Sequence, residues 1–103
     1  MRRLPTLVLL LALAAPASAD QSSTAARDAA AGCMGCHGPD GRSTPPIPRL
    51  DHLTREQIVT AMIEFRSGSR PGTLMPQLAI GYDDARIAAI ADAIATGKRS
   101  NAR

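Results

Sequence analysis

The middle of the chain shows the clearest recurrence of apolar residues at a helical period. Apolar side chains recur at that spacing over residues 58–65, and the preceding Thr54 forms a capping-box pattern with Gln57 three residues later. Gly68 follows, and glycine is the residue that most often ends a helix. The pattern predicts a helix over about residues 55–67.

Two further helices are predicted nearer the ends of the chain. An alanine-rich stretch over residues 22–36 begins with Ser and Thr residues suited to N-capping. Asp83 precedes apolar residues at helical spacing, and we expect that helix to end at Gly97. Residues 38–53 and 69–81 are rich in Pro and Gly and are predicted to be irregular. No stretch alternates with the period of a strand, so the sequence predicts an all-α fold.

The first residues have the pattern of a secretory signal. Two arginines are followed by an apolar run over residues 4–15 and by small residues up to Ala19. We therefore expect a cleaved signal peptide over residues 1–19 and one mature domain over residues 20–103. The run is too short to cross a bilayer and no later stretch is apolar enough, so the expected product is exported, soluble and periplasmic.

Charge and aromatic content argue against a nucleic-acid partner. The expected mature part has ten basic and nine acidic residues, a net charge of about +1, and these are interspersed rather than arranged in a basic stripe. Phe65 and Tyr82 are its only aromatic residues, so it lacks a platform on which bases could stack.

The apolar content is low for a domain of this length. The expected mature part has seventeen large apolar residues and fourteen alanines among its 84 residues. Small domains with thin cores commonly need a disulfide, a metal or another non-polypeptide element at the centre. The two cysteines are the first place to look for such an element.

Cys33, Cys36 and His37 form a C-x-x-C-H sequence, which is the attachment signal for a c-type haem. Residues three and four apart share one face of a helix. Both thiols can therefore bond to one porphyrin while the imidazole of His37 reaches the iron. We expect one covalent haem c.

Other uses of the cysteine pair fit less well. A disulfide across so short a loop would constrain little of the chain. A thioredoxin-like redox pair expects neighbouring β-α-β structure, which the sequence does not predict. A zinc site needs four ligands, and after the C-x-x-C-H residues only His52 remains.

The sixth iron ligand has four candidates, Met34, Met62, Met75 and His52. Met34 lies within the attachment turn, Met62 lies on the apolar face of a predicted helix where core packing is expected, and His52 is expected at the surface. Met75 lies within residues 70–76, a segment predicted to be extended, which can cross the face of the cofactor and direct the thioether at the iron. We predict His37 and Met75 as the axial ligands.

This ligand pair has consequences for function. With both axial positions occupied the iron has no open site, which favours electron transfer over catalysis. The alternative is a haem-based enzyme or ligand sensor in which Met75 leaves the iron to admit a small molecule. Arg70 lies five residues before Met75 and is long enough to reach a haem propionate; the alternative is a solvated surface arginine.

The order of these features resembles a class I c-type cytochrome: the attachment motif, a Pro-x-Leu step at residues 48–50, Met-Pro at residues 75–76 and a closing helix. The resemblance covers about residues 30–95. Residues 65–84 are more narrowly similar to the cytochrome subunit of flavocytochrome c sulfide dehydrogenase.

The resemblance implies a small fold of three to four helices with long loops around the haem, in which the first and last helices cross. It implies that a proline carbonyl accepts a hydrogen bond from the ligand histidine, with Pro48 the best match and Pro46 the second. It also implies an FAD-containing dehydrogenase subunit that oxidises sulfide as electron donor, and a downstream electron acceptor. The alternative is a freely diffusing shuttle that serves an oxidase or another dehydrogenase.

Overall fold

The structure is a computed structural model that describes residues 11–13 and 18–101, with side chains for 11–13 and 24–97. Most of the predicted signal peptide, residues 1–19, lies outside the described residues. The elements are four α-helices and one short 3-10 helix, in the order α1 (Ser18–His37), the 3-10 helix (Pro39–Gly41), α2 (Arg55–Ser67), α3 (Met75–Ala79) and α4 (Asp84–Asn101). No strand occurs in the described part of the chain, and the prediction of an all-α fold is confirmed.

Helix α2 has the boundaries that its end signals predicted. The Thr54 hydroxyl accepts a hydrogen bond from the backbone N–H of Gln57 at 3.1 Å, and the Gln57 side chain accepts one from the N–H of Thr54 at 2.8 Å. Gly68 ends the helix in the left-handed conformation, with φ of 84°. Local hydrogen bonds therefore set both ends of this helix.

Helix α4 begins as predicted but continues further. Asp83 caps it by accepting a hydrogen bond from the N–H of Arg86 at 2.7 Å. The predicted end at Gly97 is wrong, because the helix runs to Asn101. Glycine stops a helix where its backbone turns left-handed, and Gly97 has no positive φ.

The stretch over residues 69–81 was predicted to be irregular throughout, which is also wrong. It contains the single-turn helix α3, in which Pro76 occupies the first turn. Proline is tolerated there because the first N–H groups of a helix have no partner within the helix. The Pro and Gly content of this segment predicted irregular structure and gave no sign of the helical turn within it.

The core lies where α4 packs against both α1 and α2. Its buried side chains are small or aliphatic: Ala26, Ala30, Ile58, Met62, Ala79, Ile87, Ile90, Ala91 and Ile94. Alanines lie on both of the end helices, and Ala91 is completely buried. The contact between first and last helices that the resemblance implied is therefore present, with alanine and isoleucine side chains in it.

Candidate functional site

The attachment motif lies on the last turns of α1. Cys33, Cys36 and His37 are spaced three and four residues apart, so this helical end places them on one side. Both cysteines are free thiols, with Cys33 half-buried and Cys36 exposed. His37 is 8% exposed and is the only buried polar residue in the described part of the chain.

Cys33 is the more shielded of the two thiols. Its Sγ lies 3.4 Å from the carbonyl oxygen of Ala29, one helical turn earlier. Burial raises the pKa of the Cys33 thiol above its ordinary value, and the nearby Cys36 adds to that shift. Partial burial therefore favours the neutral form of this thiol.

The imidazole of His37 is oriented by a single strong contact. Its Nδ1 lies 2.6 Å from the carbonyl oxygen of Pro48. A carbonyl only accepts, so Nδ1 carries the proton and donates, and the lone pair of the ring is left on Nε2. Pro48, rather than Pro46, is the proline that makes this contact.

The loop that carries Pro48 is held against the 3-10 helix that follows α1 by backbone contacts of Gly41. The carbonyl oxygen of Gly41 accepts hydrogen bonds from the N–H groups of Leu50, at 2.9 Å, and Asp51, at 3.3 Å. Gly41 has φ of 70°, and a Cβ there would lie 3.1 Å from the nitrogen of Asp51. Only glycine fits this approach without strain.

Charged side chains reinforce the same loop from outside. Arg49 donates to the carboxylate of Asp51 from Nε, at 2.9 Å, and from Nη2. Arg42 and His52 also lie within 4 Å of that carboxylate. The hydrogen bond from Arg49 lowers the pKa of Asp51 to about 2. The carboxylate of Asp51 therefore lies near basic side chains from both sides of Pro48 in the sequence: Arg42 before it, and Arg49 and His52 after it.

Met75 is the first residue of α3 and is half-buried against the core. The expectation that Met75 lies in an extended segment is wrong, because Met75 begins a helix and the preceding Leu74 already has helical backbone angles. The short helix fixes the direction of its side chain relative to Ala79 one turn later, which is completely buried. The neighbouring Leu74 and Leu78 are exposed.

The other candidates for the sixth ligand lie in different surroundings. Met62 is 9% exposed within the core cluster, so the prediction of a packing role is confirmed. His52 is exposed, with its Nδ1 3.7 Å from Asp51. Met34 lies on α1 within the attachment motif, partly buried against the core.

Arg70 has partners on α2. Its Nε and Nη2 each lie 2.9 Å from Oε2 of Glu64. Its guanidinium also lies over the ring of Phe65, 5.6 Å from the centroid, a distance at which cation–π attraction acts. The contact with a propionate stays a prediction.

Sequence reasoning missed Arg66. Its Nη1 donates to the carbonyl oxygen of Tyr82 at 3.0 Å, and its Nη2 donates to Asp84. These partners are 16 and 18 residues away along the chain, so no local spacing rule pairs them. The only signal in the sequence was an arginine near the end of a predicted helix, which a placement of positive charge at a helix C-terminus explains equally well.

A cavity of about 230 Å³ lies elsewhere, between α1 and α4. Its lining comprises Arg27, Ala30, Ala31, Met34, Asp40, Ala93, Ile94 and Gly97, and includes none of the predicted haem-binding residues.

The donor groups fit a covalently bound haem c. Two free thiols lie one helical turn apart, and the adjacent imidazole presents Nε2 while Nδ1 is held by Pro48. This is the set that a c-type haem needs on its proximal side: two sulfurs for the porphyrin edge and one nitrogen for iron.

Comparison with known proteins gives relatives of one kind, although no family model matches the chain. It is 45% identical over 60 residues to the cytochrome subunit of sulfide dehydrogenase from Chlorobaculum tepidum, covering 58% of this chain and 54% of that protein. It is 43% identical over 47 residues to cytochrome c-552 from Acidithiobacillus ferridurans, covering 46% and 20%. It is 35% identical over 72 residues to cytochrome c4 from Azotobacter vinelandii, covering 69% and 34%.

The chain thus spans about half the length of the first of these relatives and about a third or less of the other two. None of the helices in the described part of the chain is long and apolar enough to cross a bilayer.

Proposed function

We propose that this chain, a class I c-type cytochrome, carries single electrons through one covalently bound haem c. The observation that carries the proposal is the orientation of His37 beside the two thiols. Its Nδ1–H is held by the Pro48 carbonyl at 2.6 Å, so the ring is fixed with Nε2 available as a metal ligand. Such an outer contact also raises the basicity of the ligand nitrogen.

Cys33 and Cys36 attach the cofactor in this proposal. Each thiol would hold the haem through a thioether bond, formed by addition of its sulfur and its proton across one vinyl group with no oxidant required. The exposed position of Cys36 and the half-buried position of Cys33 place one tether at the surface and one nearer the core. When bound, the haem supplies a one-electron Fe(III)/Fe(II) couple.

Met75 is proposed as the second axial ligand. Among residues 20–103 it is the methionine outside the attachment motif that is not fully packed in the core, and α3 gives it a defined direction. A thioether ligand favours the reduced iron and raises the potential relative to two imidazoles, and two filled axial positions favour electron transfer over catalysis. We therefore propose a carrier and not an enzyme.

Arg70 is proposed to bind a haem propionate. Its contacts with Glu64 use Nε and Nη2, and Nη1 is the group proposed to reach the propionate as a charge-assisted donor.

The proposed electron donor is an FAD-containing subunit that oxidises sulfide. Support comes from the 45% identity to a protein named as the cytochrome subunit of sulfide dehydrogenase. The mature net charge of about +1 gives no strong electrostatic preference for any other partner. We propose a periplasmic location, after removal of residues 1–19, and transfer of the electron onward to a separate acceptor.

The proposal is tested first on the exported holoprotein. A pyridine haemochrome spectrum is expected to show one thioether-linked haem per chain. The oxidised protein is expected to show the weak far-red sulfur-to-iron band and to bind carbon monoxide and cyanide poorly. No covalent haem would overturn the function; a missing band with ready ligand binding would overturn the Met75 assignment and favour an enzyme or sensor.

The donor is tested by isolating the protein from its native source. A co-purifying flavoprotein and sulfide-dependent reduction of the haem are the expected results. Recovery of the cytochrome alone, reduced only by unrelated donors, would instead support a freely diffusing shuttle. The similarity to cytochrome c-552 and cytochrome c4 is the observation that supports testing this second function.

A further inference from the structure

The last turn of α2 holds both ends of the segment that carries Met75. This segment, residues 69–83, leaves α2 after Gly68, forms the short helix α3 and enters α4. Each of its ends contacts a charged side chain of α2: Glu64 at the start and Arg66 at the finish.

The first end is fixed by backbone and side-chain contacts to Glu64. The N–H of Arg70 donates to the carbonyl oxygen of Glu64 at 3.2 Å, and the Arg70 guanidinium pairs with its carboxylate. The hydroxyl of Ser67 donates to the same carbonyl oxygen at 3.1 Å. The chain therefore leaves α2 in one direction.

At the second end, the side chain of Arg66 donates the hydrogen bonds that join α2 to the segment. Its guanidinium donates to the Tyr82 carbonyl at 3.0 Å and to the carboxylate of Asp84, so one planar group joins α2 to both the segment and the start of α4. Arg66 has 29% of its side chain exposed, whereas Asp84 has 79% exposed. The contact with Tyr82 is thus the more shielded of the two, and we expect it to contribute more than the exposed ion pair.

Tyr82 connects Arg66 to Met75 through the backbone of α3. The N–H of Tyr82 donates to the carbonyl oxygen of Ala79 at 3.2 Å. Ala79 is completely buried and lies one helical turn after Met75. A displacement of Tyr82 would therefore disturb α3. At five residues, this helix is too short to be stable without its tertiary contacts.

We infer that Arg66 is a positioning residue that keeps Met75 against the haem iron by holding the Tyr82 end of its segment on α2. The inference rests on the proposed function, because it presumes that Met75 is the axial ligand. It assigns to Arg66 no contact with the haem.

The chain offers a matched control in Arg55. This residue also joins α2 to α4, through an ion pair in which its Nε lies 2.5 Å from Oδ1 of Asp92. Arg55 is at the opposite end of α2 and contacts no residue of the Met75 segment in any described ion pair or hydrogen bond. Loss of Arg55 reports on the helix contact alone, whereas loss of Arg66 reports on that contact and on the segment.

The experiment measures cyanide binding to the oxidised holoprotein. At saturating cyanide the rate is limited by how often Met75 leaves the iron. We expect Arg66→Ala to raise this rate about ten-fold, the lower range for loss of a charge-assisted hydrogen bond at a partly exposed site. Arg66→Lys, which keeps a charged donor but loses the planar fork that reaches both partners, is expected to give a smaller rise, and Arg55→Ala a change of less than about two-fold.

Urea unfolding of the same variants separates positioning from general stability. Both Arg66→Ala and Arg55→Ala are expected to lower the unfolding midpoint, Arg66→Ala by more because it also loses the shielded contact with Tyr82, while only Arg66→Ala raises the cyanide rate. Equal cyanide rates in these two variants would overturn the inference. If Arg66→Ala does not accumulate, Arg66→Lys and Asp84→Ala serve instead, and rates in both no faster than in Arg55→Ala would overturn it.

The far-red band of the wild-type protein distinguishes the two levels of failure. A wild type without the band would overturn Met75 ligation, and the role of Arg66 with it. A wild type that has the band, together with variants that bind cyanide at control rates, would leave the proposed function standing and overturn the role of Arg66 alone.

Discussion

Replacing Met62 and Met75 separately by alanine is expected to have different effects: Met62→Ala lowers stability, and Met75→Ala removes the proposed axial ligand. Met62 is 9% exposed on α2 and belongs to the cluster that includes Ile58, Ile87 and Ile90. Met75 is half-buried at the start of α3, beside exposed leucines. The first change removes packing from the core, and the second removes the proposed sulfur ligand while costing less packing.

The size of the Met62 effect follows from its burial. Met62→Ala removes three heavy atoms, each contributing about 0.8 kcal/mol of transfer free energy, and leaves a cavity that adds to the cost. The expected loss in the free energy of unfolding is about 3 kcal/mol, within the range of about 2–5 kcal/mol for buried methionine to alanine changes. At roughly 4–8 °C per kcal/mol for a domain of this size, the melting temperature falls by at least about 12 °C.

The assay combines urea unfolding, followed by circular dichroism, with the far-red absorption band of the oxidised holoprotein. Met62→Ala is expected to lower stability and keep the band. Met75→Ala is expected to abolish the band, admit cyanide and lower the reduction potential. Met62→Leu conserves volume and should cost less than about 1.5 kcal/mol, so it is the matched control for packing.

The reasoning would be refuted if Met62→Ala abolished the band and Met75→Ala preserved it. That result would exchange the roles of the two methionines. A Met62→Ala variant as stable as the wild type would contradict the packing argument, whatever its spectrum.

Two further predictions concern the attachment motif and the loop beside it. Replacing both Cys33 and Cys36 by alanine is expected to leave a chain without covalent haem and largely unfolded, because a thin aliphatic core loses its central element; a double variant that stays folded by circular dichroism would contradict this. Arg49 holds the pKa of Asp51 at about 2, below the ordinary 3.8, so this carboxylate stabilises the fold fully above about pH 4 and loses that contribution as the pH falls through about 2. The difference in urea midpoint between wild type and Asp51→Asn should therefore shrink from about pH 5 to about pH 2, and a constant difference would count against it.

Short-range signals were enough to predict much of this protein. Thr54 and Gln57 are three residues apart and exchange the two hydrogen bonds that start α2, so their pairing depends on nothing else in the fold. Gly68 and Asp83 mark helix ends for equally local reasons. The spacing of the C-x-x-C-H residues likewise predicts haem attachment from local structure alone, because a helical turn places the two thiols and the imidazole on one face.

The wrong predictions, the end of α4 and the missed helix α3, rested on residues that are compatible with more than one local structure. Gly97 has the residue type of a helix end, but its backbone stays helical because nothing turns it left-handed, and α4 continues. Pro76 is as compatible with the first turn of a helix as with a loop, and the packing of α3 against α2 selects the helix.

What the sequence by itself determined, then, were three of the four α-helices and the attachment motif. The tertiary structure decided which partners meet: Pro48 rather than Pro46 at His37, and Arg66 with Tyr82 and Asp84. The physical reason is how far apart along the chain the contacting residues lie. A cap or a helical turn is closed by residues a few positions apart, whereas the contact at His37 spans 11 residues and those of Arg66 span 16 and 18. Such contacts form only once loops are closed and helices are packed, and no pattern along the chain specifies them in advance.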